Sequence, residues 1–176
     1  KTVRAALSYL VMMHIGFVFL VAGFTTAYTT CGSASFESLP ICFSQGKTML
    51  LLILFLLGFG MKAGLFPMHV WLPEAHPAAP SHVSAIMSGV MIKTGVYGVM
   101  RVVWQISESS ELHTAGIILL TVGIVTGLWG VILAAVQNDA KRLLAYSSIE
   151  NIGVIFIGLG IATIARSSGN DLVATL

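Results

Sequence analysis

Five apolar stretches, each close to the ~20 residues that an α-helix needs to cross the hydrocarbon of a bilayer, dominate this chain. They lie near Leu7–Tyr28, Thr48–Phe66, Val83–Gln105, Thr114–Val136 and Leu143–Ala165. In hydrocarbon every backbone N–H and C=O must find its partner within the protein, so such runs fold as helices. The sequence therefore predicts an all-α, polytopic transmembrane helix bundle of about five spanning helices. Residues 1–176 form one such bundle, with no soluble domain between the spans. Only 9% of the residues are charged, against ~25% in a soluble domain. That deficit excludes a disordered chain and a water-soluble globule. A net charge of +2 gives a nucleic acid nothing to bind, so the expected environment is the lipid bilayer. The helices are rich in Gly, Ala and Ser, which let neighbouring backbones approach closely.

The chain starts at Lys1 and stops at Leu176, and it is expected to be a piece of a longer protein. Its first apolar run opens like a signal peptide. It outlasts the ~7–15 residues of such a segment and no A-x-A cleavage site follows, so a spanning helix is expected. Cys31 and Cys42 share one loop. They form a disulfide if that loop faces an oxidising compartment and remain inert thiols otherwise; no Cys/His cluster points to iron–sulfur or zinc. Lys1, Arg4, Lys141 and Arg142 fall on one side of the membrane, and Lys47, Arg101 and Arg166 on the other, with Glu37, Glu108, Glu111 and Asp171. The weak basic bias places the first side in the cytoplasm.

The chemistry is expected at ionisable residues inside apolar runs, where a charge costs ~2.5–3.5 kcal/mol at the helix centre on insertion scales. Lys62 lies deep in the second run, five residues before Pro67. The proline leaves the Ala63 carbonyl without its helical donor, and a lysine beside a broken helix suits an ion site at membrane depth. The competing reading is a lysine that snorkels to the interface. Lys93 sits mid-run in SAIMSGVMIKTGVYGVMR, where snorkelling is a longer reach. Ser81, Ala85, Gly89, Lys93, Tyr97 and Arg101 recur at fourfold spacing and share a face, read either as a packing seam or as the interior surface of an ion site. Desolvation favours the neutral amine, so a lysine held there takes up and releases protons.

Between the lysines, PMHVWLPEAHPAAPSH carries His69, Glu74, His76 and His82. Histidine relays protons near neutral pH. The spacing is not HExxH, which weakens a metal site. The alternative is an interfacial re-entrant loop with wet histidines and Trp71 as an interface anchor. In the fifth run Tyr146 and Glu150 are one turn apart, and Glu150 either holds a proton or pairs statically with a base. His14 is expected to be a hydrogen-bonded interior histidine.

The run KAGLFPMHVWLPEAHPAAPSHVSAIMSGVMIKTGVYGVMR, from Lys62 to Arg101, and NDAKRLLAYSSIENIGVIFIG, from Asn138 to Gly158, resemble the antiporter-like membrane subunits of respiratory complex I, multisubunit Na+/H+ antiporters and energy-converting hydrogenases. Within that family, SHVSAIMSGVMIKTG and YSSIENIG are most similar to the large membrane subunit of formate hydrogenlyase or hydrogenase-4. Complex I members more often carry histidine where Asn151 stands. The resemblance implies a central piece of a larger bundle in a bacterial or archaeal cell membrane. It implies that Lys62 is the lysine on the broken helix, that Lys93 is the central lysine and that His69 is the histidine near the first. It implies proton translocation beside partner membrane subunits and a peripheral redox arm. Nickel–iron, iron–sulfur or flavin groups would sit only in those partners, and no cofactor on this chain. Two other readings stand beside it: an Mrp-type Na+/H+ antiporter subunit, and a structural scaffold whose lysines are held in static pairs.

Overall fold

The computed structural model describes residues 2–106 and 109–169. Lys1, Glu108 and Asp171, which entered the reading of orientation, lie outside the described residues. Helix α1 spans Thr2–Cys31, α2 Thr48–Ala63 and α3, a short helix, Leu72–Ala78. Helix α4 covers Ser81–Trp104, α5 Ser109–Ala135 and α6 Ala140–Ser167. Five of the described helical segments are long and apolar enough to cross a membrane; the second is composite, running from Phe36 to Ala78.

Between α1 and α2 the chain turns through short helical segments at Phe36–Ser38 and Leu39–Cys42. Cys31 and Cys42 are joined there as a disulfide, with Cα atoms 5.5 Å apart. Phe36 packs edge-on against Phe24 and lies near Phe55, and Phe55 stacks on Phe59. An apolar column therefore fills the space between α1 and α2 on that side.

Small residues decide which helices touch. A Cβ on Gly16 would lie 3.2 Å from the Gly58 carbonyl oxygen, so α1 and α2 cross with their backbones in contact. On α5 and α6, a Cβ on Gly130 would lie 2.7 Å from the Glu150 nitrogen, and one on Gly160 2.6 Å from the Leu120 nitrogen. In hydrocarbon, association rests on packing of this kind more than on solvent release. The seam of α4 differs from the fourfold stripe expected from sequence. Gly95 and Gly98 face Phe59 and Ala63 of α2, whereas Ser81, Ala85, Gly89, Lys93 and Tyr97 are exposed in this chain. The backbone approach fixes the rotation of α4, and the stripe turns away from its packed face.

The two ends of the bundle separate the basic residues as expected from sequence. Arg4 Nε lies 3.9 Å from Glu74, and Lys141 Nζ donates to the Ala79 carbonyl at 2.9 Å. At the other end Thr48 hydrogen-bonds Glu111, and Arg166 donates to the Trp104 carbonyl while lying over its ring.

Candidate functional site

Helix α2 stops inside the membrane. At ~1.5 Å per residue, the 30 residues of α1 measure roughly 45 Å, and Gly16 stands at the middle. Gly16 touches Gly58 and Met61, which places Lys62 about half-way through the bundle. One residue on, α2 ends at Ala63. Gly64 takes the left-handed conformation (φ 76°, ψ 35°) and its N–H closes on the Gly60 carbonyl; glycine adopts this geometry without the steric penalty of a Cβ. The interruption thus begins at Gly64 and runs through Pro67, whose peptide bond to Phe66 is cis.

A helix end at this depth exposes backbone groups that need partners, and side chains from elsewhere supply them. Leu65 N–H also donates to the Gly60 carbonyl, at 3.0 Å. The Met61 carbonyl is left free for the Trp71 indole N–H, at 2.9 Å. Phe66 N–H donates at 3.2 Å to Thr126 Oγ1 of α5, whose own proton goes to the Val122 carbonyl. Trp71 is 0% exposed and packs on Tyr9 of α1 with ring centroids 5.2 Å apart. It is an internal strut of the broken helix and not an interface anchor. Beyond it α3 continues toward the Arg4 end, so the composite segment completes its crossing.

The proline-rich connection is accordingly packed protein and not a wet interfacial loop. His69 is buried and stacks on Phe66 at 5.7 Å, while Phe66 in turn meets Trp129. His69 Nδ1 has no hydrogen-bond partner among the described residues. His76 is 2% exposed. Its Nδ1 lies 2.5 Å from Ser84 Oγ, and its Nε2 has no partner among the described residues. His82 is exposed and Glu74 half-buried. The structure separates these four residues: His69 belongs to the interruption, His76 to the α3–α4 contact, and Glu74 to the basic end, while His82 points outward.

Lys93 lies two residues from Gly95, which faces Phe59 and Ala63; Lys62 and Lys93 therefore occupy one layer of the bundle. Lys62 is half-buried and Lys93 exposed in this chain. The expectation that both amines are enclosed is thus not met by these helices alone, because the packed face of α4 is the glycine face. Neither lysine makes an ion pair or hydrogen bond with the described residues. Glu150 is half-buried, with its backbone against Gly130, one turn from Thr126. Tyr146, also half-buried, precedes it by one turn. His14 is bonded, through Nδ1 and the Leu10 carbonyl at 2.8 Å, but it is exposed and not interior. Among the described residues no three His, Cys, Asp or Glu side chains gather closely enough to hold a metal ion.

Among the polar contacts that sequence reasoning missed, two lie within the apolar runs. Ser88 and Ser148 are joined across α4 and α6 at 3.0 Å, and Thr126 caps the interruption from α5. The only sequence signal was a set of isolated hydroxyls in apolar runs.

Comparison with known proteins places this geometry. Residues 1–171 match the family model described as "NADH:quinone oxidoreductase/Mrp antiporter, TM". The chain is 37% identical over 177 residues to hydrogenase-4 component B of Escherichia coli K12, covering 99% of this chain and 26% of that protein. Among solved structures it resembles a chain of the membrane-bound sulfane sulfur reductase, an archaeal respiratory membrane complex, with a TM-score of 0.81 and 36% identity over 96% of this chain and 30% of the other. A chain of the Mrp complex from Dietzia sp. shares the fold, with a TM-score of 0.83 at 23% identity over 94% of this chain and 32% of the other. The chain thus spans about a quarter to a third of the proteins it matches. It belongs to the NADH:quinone oxidoreductase/Mrp antiporter membrane family and is a multi-pass, antiporter-like membrane protein.

Proposed function

We propose that this family member carries part of a proton path in an antiporter-like subunit of a membrane oxidoreductase complex, of the hydrogenase-4 or complex I type, in a bacterial or archaeal cell membrane. The observation that carries the reading is the interruption of α2 at mid-depth, with Lys62 on its last turn and Lys93 in the same layer on α4. Ending a helix inside hydrocarbon is costly unless the interrupted backbone serves a site. Two amines in that layer fit proton uptake and release.

In this mechanism a change in the partner redox arm alters the charge environment of Lys62. Lys62 then releases its proton along bound water toward Lys93. His69, next to the break, and Tyr146 and Glu150 on α6 line the same region of the bundle. His76 and Glu74 lie toward the Arg4 end, while the exposed His82 stands apart from them. Electron-carrying groups (nickel–iron, iron–sulfur or flavin) belong to partner subunits, and this chain supplies ion movement. The other faces of Lys62 and Lys93 are covered by the remainder of the subunit and by neighbouring membrane subunits.

The test is Lys93→Ala and Lys62→Met in the intact complex, with proton translocation and electron transfer measured together. Loss of translocation with assembly preserved is expected for both. Unchanged pumping at full turnover refutes the reading. Sodium-dependent proton exchange with no electron donor would instead identify an Mrp-type antiporter.

A further inference from the structure

The first half of α4 leaves most of its surface uncovered by this chain. From Ser81 to Met91 none of its residues is buried, whereas the half from Ile92 onward buries seven. A π-turn occupies Met87–Met91, a feature found frequently at functional sites. Two of the side-chain hydrogen bonds that tie this half to other elements are hydroxyl contacts. Ser84 Oγ meets His76 Nδ1 at 2.5 Å, and Ser88 Oγ meets Ser148 Oγ at 3.0 Å. Ser84 and Ser88 stand four residues apart, neighbours on one helix face. Ser148 also donates to the Leu144 carbonyl at 2.9 Å.

At the outer end of this series His76 is almost wholly buried, and its Nε2 has no partner among the described residues. A buried polar atom left in this way calls for water or another donor. The adjoining residues Glu74, Pro77 and Ala78 line a cavity of about 790 Å3 together with Arg4, Asp139 and Arg142. Polar groups thus run from that cavity, through His76, Ser84, Ser88 and Ser148, toward the layer of Lys93. The last step along α4, from Ser88 to Lys93, is five residues, roughly one and a half turns of helix.

We propose that Ser84, Ser88 and Ser148 form, with His76, the passage by which protons travel between the cavity at the Arg4 end and the lysine layer. The inference rests on the function proposed above and names the residues that serve it. A proton bound at His76 Nε2 is balanced by release of the Nδ1 proton to Ser84 Oγ. Ser84 gives up its own hydroxyl proton to one bridging water, and that water gives one to Ser88. Ser88 exchanges with Ser148 in the same way, and a second water carries the proton released there to the neutral amine of Lys93. Only N–H and O–H bonds are made and broken: His76, the serines and the waters end with the number of protons they began with, and Lys93 gains the one that entered at His76 Nε2.

The experiment uses the assembled complex with the full-length subunit, reconstituted in liposomes. Protons moved per electron are read with a pH-sensitive dye beside the electron-transfer rate. S88A and S148A are each expected to lower that ratio at least fivefold with assembly intact. S88T, which keeps the hydroxyl, restores it. T94V, which removes a hydroxyl bonded only to its own helix at the Met91 carbonyl, leaves it unchanged. Wild-type ratios in both serine-to-alanine variants, with K93A inactive in translocation, overturn the passage and leave the proposed function standing. Wild-type ratios in all three overturn both. A fall in S88A that S88T fails to repair also overturns the passage, since it marks a packing defect.

Discussion

Replacing Trp71 by phenylalanine tests how the interruption in α2 is held. The substitution keeps an aromatic ring in contact with Tyr9 and removes the indole N–H that serves the Met61 carbonyl at 2.9 Å. That carbonyl has lost its usual partner, because Leu65 N–H turns to Gly60 instead. Stranding a buried acceptor costs about 1–3 kcal/mol. Both residues are buried, with Trp71 at 0% exposure, so water offers little relief. If the segment around Gly64 opens locally, the same energy lowers its opening free energy. At about 1.4 kcal/mol per tenfold, amide exchange there should speed up roughly 5- to 150-fold. Hydrogen–deuterium exchange of the intact complex, followed by mass spectrometry, reads this directly in peptides covering 60–70. Peptides from α5 and α6 should exchange as before. Protection of 60–70 within twofold of wild type would refute the claim that the indole holds the broken end.

Two further outcomes follow from the packing. Gly153→Leu drives a side chain into the backbone of α5 at Gly123 and Gly127; overpacking costs about 1–3 kcal/mol or more, and the yield of assembled complex in gel filtration should fall sharply, while Gly158→Leu, facing open space, should assemble normally. The Cys31–Cys42 bridge closes a sequence separation of 11, for which chain entropy suggests about 3 kcal/mol; the double Cys→Ser variant should melt lower in detergent, and maleimide should label the wild type only after reduction. Labelling without reduction would show that the bridge is not formed.

The spans were legible because length and apolarity are local properties. Pro67 announced the break, but its start did not follow from sequence. Gly58, Gly60 and Gly64 lie within seven residues, and only packing selects the last as the left-handed cap. Sequence left the interface-anchor alternative for Trp71 open because its partner, Met61, lies across the break, and an indole beside prolines looks the same when it anchors at an interface. Lys93 was expected to face inward on the strength of fourfold spacing. The rotation of α4 is set by the fit of Gly95 and Gly98 to α2, which no periodicity within α4 contains. The His76–Ser84 and Ser88–Ser148 contacts join different elements, and single hydroxyls in apolar runs carry no sign of their partner.

The glycine-lined contact of α5 with α6 has a mechanical consequence. Two helices whose main chains touch along several turns have no compliant side chains between them, so they must rock as one stiff lever. The helices α1, α2 and α4 make a second block, joined to the first through α3, the Phe66–Trp129 ring contact and hydrogen bonds at Phe66–Thr126, Thr48–Glu111, Ser88–Ser148, Lys141–Ala79 and Arg166–Trp104. Any motion that transmits force along the membrane will be concentrated at those slender joints.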